Sequence, residues 1–250
     1  MTATNPDSEE KINITEHLTE FRSRLIRCFI AVMICFMIAY IFKEKIFNFL
    51  IEPLKAALGA DNKIIFTGIA EAFFTYIKVA LLAGVILAIP YISMEFWLFA
   101  APGLYSSEKK WVVVLTILSI IFFAGGASFG YFFVFPYGFK FLLGFANNTL
   151  EALPSMKEYF SFASKMLFAF GLAFELPLVL TGLAKMGIVT PQFLRDKRKY
   201  ALLIFFVIAA VITPPDAVTQ VMMALPLTIL YELSIIGASI FGQTKKKNKK

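Results

Sequence analysis

The chain has 250 residues and a net charge of +7, with 59% apolar residues and only 16% charged ones. Soluble domains run at roughly 45–50% apolar and about 25% charged, and a mean hydropathy of +0.75 widens that gap. An ordinary soluble enzyme, a disordered chain and a secreted disulfide scaffold are excluded, which leaves an integral membrane protein. The positive charge then reads as basic loops beside anionic lipid, not as a nucleic-acid surface.

The first predicted element is an amphipathic helix over 13–27. Asn13 with Glu16 forms a capping-box pattern, Ile14, Leu18, Phe21 and Leu25 make an apolar face, and Glu16, Glu20 and Arg24 share another side. It lies at the membrane interface and leads into the first span, Cys28 to Phe42. Both cysteines, Cys28 and Cys35, sit in that apolar run and form no metal motif. The second span covers about Ala72 to Trp97, with Lys78 near one end and Glu95 near the other. A loop follows in which Pro102-Gly103 marks a turn, Trp97 and Tyr105 suit the interface, and Ser106 caps the next helix with Glu108 in its first turn.

The third span, Trp111 to Phe139, carries no charge and includes Gly126-x-x-x-Gly130, a spacing that permits close helix contact. The fourth, about Tyr159 to Ala184, is interrupted by Lys165 and Glu175. The fifth is Tyr200 to Thr213, 14 residues, and the sixth is about Val218 to Tyr231, joined by the turn Thr213-Pro214-Pro215-Asp216. Such a short hairpin thins the bilayer locally, or else its ends simply snorkel. Pro90, Pro177 and Pro226 bend their helices, which favours a concave wall. The fold class is therefore all-α: one transmembrane domain over 1–250 with six spans and a basic tail over 242–250.

No enzyme constellation is visible. The sequence has no phosphate loop, no His-Glu-x-x-His pair, no serine elbow, one histidine, and aspartates only outside the spans. Neither a cofactor nor a metal is implied, and any energy source is external. Glu95 and Glu232 lie near span ends and read as interface residues. Glu175 does not: a carboxylate at the centre of a span costs about 2.5 kcal/mol or more unless it faces a cavity or a partner.

Four stretches together resemble one family. His17-Leu-x-Glu-Phe-Arg-x-Arg-Leu25 resembles the lead-in motif of TatC, the multispanning subunit of the twin-arginine protein translocase. Phe99-x-Ala-Pro-Gly-Leu-Tyr-x-x-Glu-Lys109 resembles its first cytoplasmic loop. Phe174-Glu-Leu-Pro177 and Thr213-Pro-Pro-Asp216 resemble its fourth span and last periplasmic turn. Phe135-Pro136 and Lys197-Arg198 fit as well, and Phe21 stands where leucine is usual. The resemblance implies a receptor for twin-arginine signal peptides of folded precursors. It would work with TatA-type and TatB-type single-span subunits, in a larger self-associated complex, and draw on the proton-motive force. It implies Glu20 and Glu108 as signal contacts, supported by His17, Arg22, Phe99, Pro102 and Tyr105. Glu175 would meet partner spans, and Pro214, Pro215 and Asp216 would form a periplasmic cap.

Two other classes stay open on the residues alone: a proton-coupled carrier using Glu175, and a purely structural scaffold. Sidedness is testable at once. Lysines and arginines number 16 in the terminal segments and the loops on their side, against 6 in the opposite loops, which places both termini in the cytoplasm. In a cysteine-free background, single cysteines replacing Ser107 and Asn148 should react with an impermeant reagent from opposite faces. Reaction from the same face would overturn the six-span topology.

Overall fold

In a lipid environment the backbone has to satisfy its own hydrogen bonds, and long apolar runs do so as helices. The computed structural model of the chain describes residues 6–58, 64–65, 68–100, 109–145, 153–213 and 216–242, with side chains left out of the description at 6–17 and 109–111. In chain order these hold α1 (Pro6–Ile41), α2 (Lys43–Leu58), α3 (Glu71–Ala100), α4 (Lys109–Phe129), a π-helical turn (Gly130–Val134), α5 (Phe135–Leu143), α6 (Met156–Phe174), α7 (Leu176–Lys185), α8 (Pro191–Asp196), α9 (Arg198–Ile212) and α10 (Ala217–Phe241). Among the described residues the sole β pairing is an isolated Ile65–Ser155 bridge.

Five stretches are long and apolar enough to cross a membrane: Leu18–Ile41, Glu71–Ala100, Val112–Leu143, Met156–Lys185 and Ala217–Phe241. The remaining apolar helix, α9, has 15 residues and so reaches about 22 Å. The shortness expected of the last two spans is confined to α9. α10 continues from Tyr231 to Phe241 because Glu232 sits on an exposed side, where Arg198 of α9 meets it at 2.6 Å. Two further boundaries differ from expectation. α1 starts at Pro6, upstream of Asn13, where a proline followed by acidic residues already provides a helix start. The segment after the first span contains a 16-residue helix, α2, which the mixed polarity of Lys43–Leu58 concealed.

Three of the proline breaks are repaired locally, at Pro53, Pro136 and Pro177. Pro53 inside α2 has no N–H for the carbonyl of Phe49, four residues earlier. Tyr131 Oη donates to that carbonyl at 2.5 Å, with its ring stacked on Phe49 at 4.6 Å, and Tyr159 Oη donates to the next carbonyl, Leu50. Ahead of Pro136 the ladder widens by one residue, so Phe135 N–H reaches Gly130 O. Ahead of Pro177 the fourth span divides at Glu175, whose N–H bonds Leu172 O in a tighter turn.

The core centres on α6, which carries the buried Phe160, Ala163, Met166, Leu167 and Phe170 and packs chiefly against α4 and α3, and less against α9 and α10. Helix approach is set by glycines at two crossings. At Gly84 of α3 an added Cβ would stand 2.7 Å from Cα of Phe36 in α1, and at Gly126 of α4 it would run into the carbonyl oxygen of Phe170 in α6. Gly130, the second glycine of the spaced pair, lies on the Phe170 ring.

Because backbone cannot retreat as a side-chain tip can, Gly126→Ala should force α4 and α6 apart. The expected loss is about 1–3 kcal/mol of stability, read as a lower unfolding midpoint in detergent. Gly125→Ala is the control: its Cβ would meet nothing within 4 Å, so its midpoint should stay at the parent value.

Candidate functional site

The polar groups concentrate at three levels of an otherwise apolar bundle. The first is the end at which α3 finishes and α4 begins. Residues 20, 24 and 27 rise along one side of α1, so a carboxylate and two guanidinium groups face α3. Arg24 is the hub. Its Nε and Nη2 both donate to Glu20 Oε1, at 3.0 and 2.6 Å, and its Nη1 donates to Glu95 Oε2 at 2.6 Å. Arg27 Nη1 stands 3.0 Å from Glu95 Oε1, and Tyr91 Oη donates to the same oxygen at 3.1 Å. Glu95 is 3% exposed, whereas Glu20 is 39% exposed. The quartet is charge-neutral, with the buried acid paired on both oxygens, as a buried carboxylate requires.

Glu95 therefore is not the interface residue that its position near a span end suggested. The spacing of Arg24 and Arg27, one turn apart on a helix leading into the same membrane end, was the signal that it would be paired inside.

Phe99, at the end of α3, packs its ring 5.4 Å from that of Phe21 in α1. Arg22 is exposed. His17 lies in the described backbone of α1, but its side chain is outside the described residues. Pro102, Tyr105 and Glu108 also lie outside them; Glu108 immediately precedes the start of α4 at Lys109. Glu20 thus stands at this end of the bundle, and Glu108 is tied to it only by its place in the sequence, one residue before α4.

The second level is Glu175, at the joint of α6 and α7, ten residues from the end of α7 at Lys185. That is about 15 Å at 1.5 Å per residue, near the middle of a bilayer core roughly 30 Å thick. Its Oε1 is buried without a hydrogen-bond partner among the described residues. Ser119 of α4 lies beside it, and Ser119 Oγ accepts from Trp97 Nε1 at 2.9 Å. The same tryptophan, with Leu115, Leu118, Pro177 and Leu178, borders an apolar cavity of about 430 Å³ between α3, α4, α7 and α10.

The third level is the opposite end. Glu71 is 9% exposed and serves two elements: Oε1 accepts from Ser155 Oγ at 2.9 Å and from Lys157 N–H at 2.8 Å, and Oε2 accepts from Gly68 N–H at 3.1 Å. A carboxylate from α3 thus satisfies a free donor at the start of α6. This role was not foreseen, because the carboxylate and the donors at the start of α6 are more than eighty residues apart. Asp216 is the N-cap of α10, its Oδ1 accepting from Thr219 N–H at 2.7 Å. Pro214 and Pro215 lie outside the described residues. Gln220 Nε2 donates to Phe206 O at 3.1 Å, tying α10 to α9. Among the described residues no group of His, Cys, Asp and Glu is placed to hold a metal.

Comparison with known proteins places this geometry. The family model "Sec-independent protein translocase protein (TatC)" matches residues 16–226. The chain is 63% identical over 237 residues to the TatC protein of Desulforapulum autotrophicum, covering 95% of this chain and 88% of that one. It is 37% identical over 233 residues to that of Escherichia coli, covering 93% and 90%. A crystal structure described as the twin arginine translocase receptor TatC superposes with a TM-score of 0.82 at 43% identity, covering 90% of this chain and 99% of that one.

A buried carboxylate oxygen without a donor costs about 1–3 kcal/mol, so Glu175→Leu should raise the unfolding midpoint in detergent. Glu175→Gln should stay near the parent. A leucine variant less stable than the parent would mean that the carboxyl is fully bonded.

Proposed function

The chain belongs to the TatC family of Sec-independent protein translocase proteins, and from that premise we propose that it is the subunit that receives twin-arginine signal peptides. It sits in the cytoplasmic membrane as a multi-pass protein with both termini in the cytoplasm. Its part is that of a transport subunit, not a catalyst. Folded precursors dock at the end of the bundle that carries Glu20 and Glu108, and TatA-type and TatB-type single-span subunits assemble with it for passage driven by the proton-motive force. The related crystal structure is itself described as a receptor.

The observation that carries the reading is the state of Glu20. Both bonds from Arg24 fall on Oε1, no bond among the described residues reaches Oε2, and the side chain is partly exposed. An exposed carboxylate oxygen on a fixed side chain is what an incoming guanidinium needs. Successive side chains of an extended peptide point to opposite sides, so two arginines suit two carboxylates on different helices better than one. Phe99, Pro102, Tyr105, His17 and Arg22 shape the surface between them. Glu175, with its unsatisfied oxygen inside the span, is the contact for a partner helix carrying a donor, and the Pro214–Asp216 turn caps the periplasmic side.

Each charged contact is worth roughly 1.5–3 kcal/mol when partly desolvated, so losing one weakens binding by about tenfold or more. Glu20→Ala and Glu108→Ala should each lower the affinity of purified protein for a twin-arginine peptide by that factor, and the double variant should nearly abolish it. A Lys-Lys peptide should bind worse than Arg-Arg, since lysine lacks the planar fork. Folded variants that bind as the parent does would overturn the assignment.

A further inference from the structure

We infer that Glu95 is a positioning residue for signal recognition, acting through Arg24 on Glu20; the inference rests on the receptor reading of Glu20. Glu20 stands on the polar side of α1 and is more than a third exposed, so nothing in packing alone fixes its rotamer. Arg24 fixes it, but an arginine has a long, flexible side chain and needs an anchor of its own. Glu95 provides the anchor: it is 3% exposed and holds Arg24 Nη1 at 2.6 Å on Oε2. Tyr91 and Arg27 engage its other oxygen, so the carboxylate is held from two sides.

The guanidinium geometry transmits the position. Nη1 is taken by Glu95, so Nε and Nη2, the opposite edge of the same rigid plane, are aimed at Glu20, and both converge on Oε1. That arrangement leaves Oε2 as the oxygen offered to a ligand. Charge balance points the same way. Two acids against two arginines make the resting cluster neutral, so Arg24 does not draw Glu20 away from an incoming cation more strongly than Glu95 draws Arg24 back. Without Glu95 the full charge of Arg24 would fall on Glu20, and its fork would be free to take both carboxylate oxygens. Signal arginines would then compete with an internal one.

The test is a double-mutant cycle on peptide affinity in full-length protein, using Glu95→Ala, the near-isosteric Glu95→Gln, Glu20→Ala and the combinations. Glu95→Ala should weaken binding of an Arg-Arg peptide by about tenfold, within the range seen for coupled neighbours, and Glu95→Gln by less. Preference for Arg-Arg over Lys-Lys should shrink in both, a readout that general destabilisation does not move. In the Glu20→Ala background neither change at Glu95 should cost anything further. Should Glu95→Ala fail to fold, the Glu95→Gln arm carries the same comparison. Losses that multiply, or parent-like binding in Glu95→Gln and Glu95→Ala alike, would overturn the positioning role alone. Parent-like binding in Glu20→Ala would remove the receptor reading and this inference together.

Discussion

The constraint on which everything else depends is that no backbone group inside a hydrocarbon layer can turn to water. Helices meet it by themselves, and the long runs in this chain do. The informative places are those where proline breaks the ladder. Pro53 frees the Phe49 carbonyl, and a tyrosine from another helix takes it. Pro136 is accommodated by one π-helical turn, and Pro177 by a division of the span at Glu175. The Pro53 repair recruits a neighbour and so fixes α2 against the π turn, whereas the other two are made within their own spans.

The carboxylates obey a parallel rule with more varied outcomes. Glu71 spends both oxygens on hydroxyl and backbone donors at one end of the bundle. Glu95 is neutralised by two arginines and a tyrosine at the other. Glu232 stays at the surface with Arg198. Glu20 and Glu175 differ from these three, because each keeps an oxygen unengaged among the described residues. One such oxygen is at the exposed end and the other is deep in the span. A stable bundle has no use for either, which is the ground for proposing these two residues, and not the satisfied ones, as the recognition and partner contacts.

The division between satisfied and unsatisfied groups also suits the proposed receptor role, in which the ligand has to be let go. A neutral, internally paired quartet keeps α1 and α3 together whether or not a peptide is bound. The exposed face of Glu20 then adds an interaction in a medium where charged contacts are moderate, not irreversible. In the proposed reading, binding and integrity are carried by different oxygens of the same cluster.

Much of this was legible in the sequence. Hydropathy alone required a membrane protein, and charge-free runs located the spans, because a helix that crosses lipid has to be apolar for its whole length. The uncharged third span and the mid-span Glu175 were each readable from local pattern. So was the side of α1 shared by Glu20 and Arg24, since helical spacing is a local property. The lead-in, loop and turn motifs were enough to suggest the family. What the sequence left undecided was every feature that joins residues distant along the chain. The α2 helix owes its place to Tyr131 and Tyr159, and Glu71 finds its donors beside Ser155. α10 passes Glu232 because Arg198 is there to meet it. Glu95 looked like an edge residue because a carboxylate near a span end is satisfied by water as well as by arginine. Only the packing of α1 on α3 decides between the two, by placing Arg24 and Arg27 over it and shutting the water out.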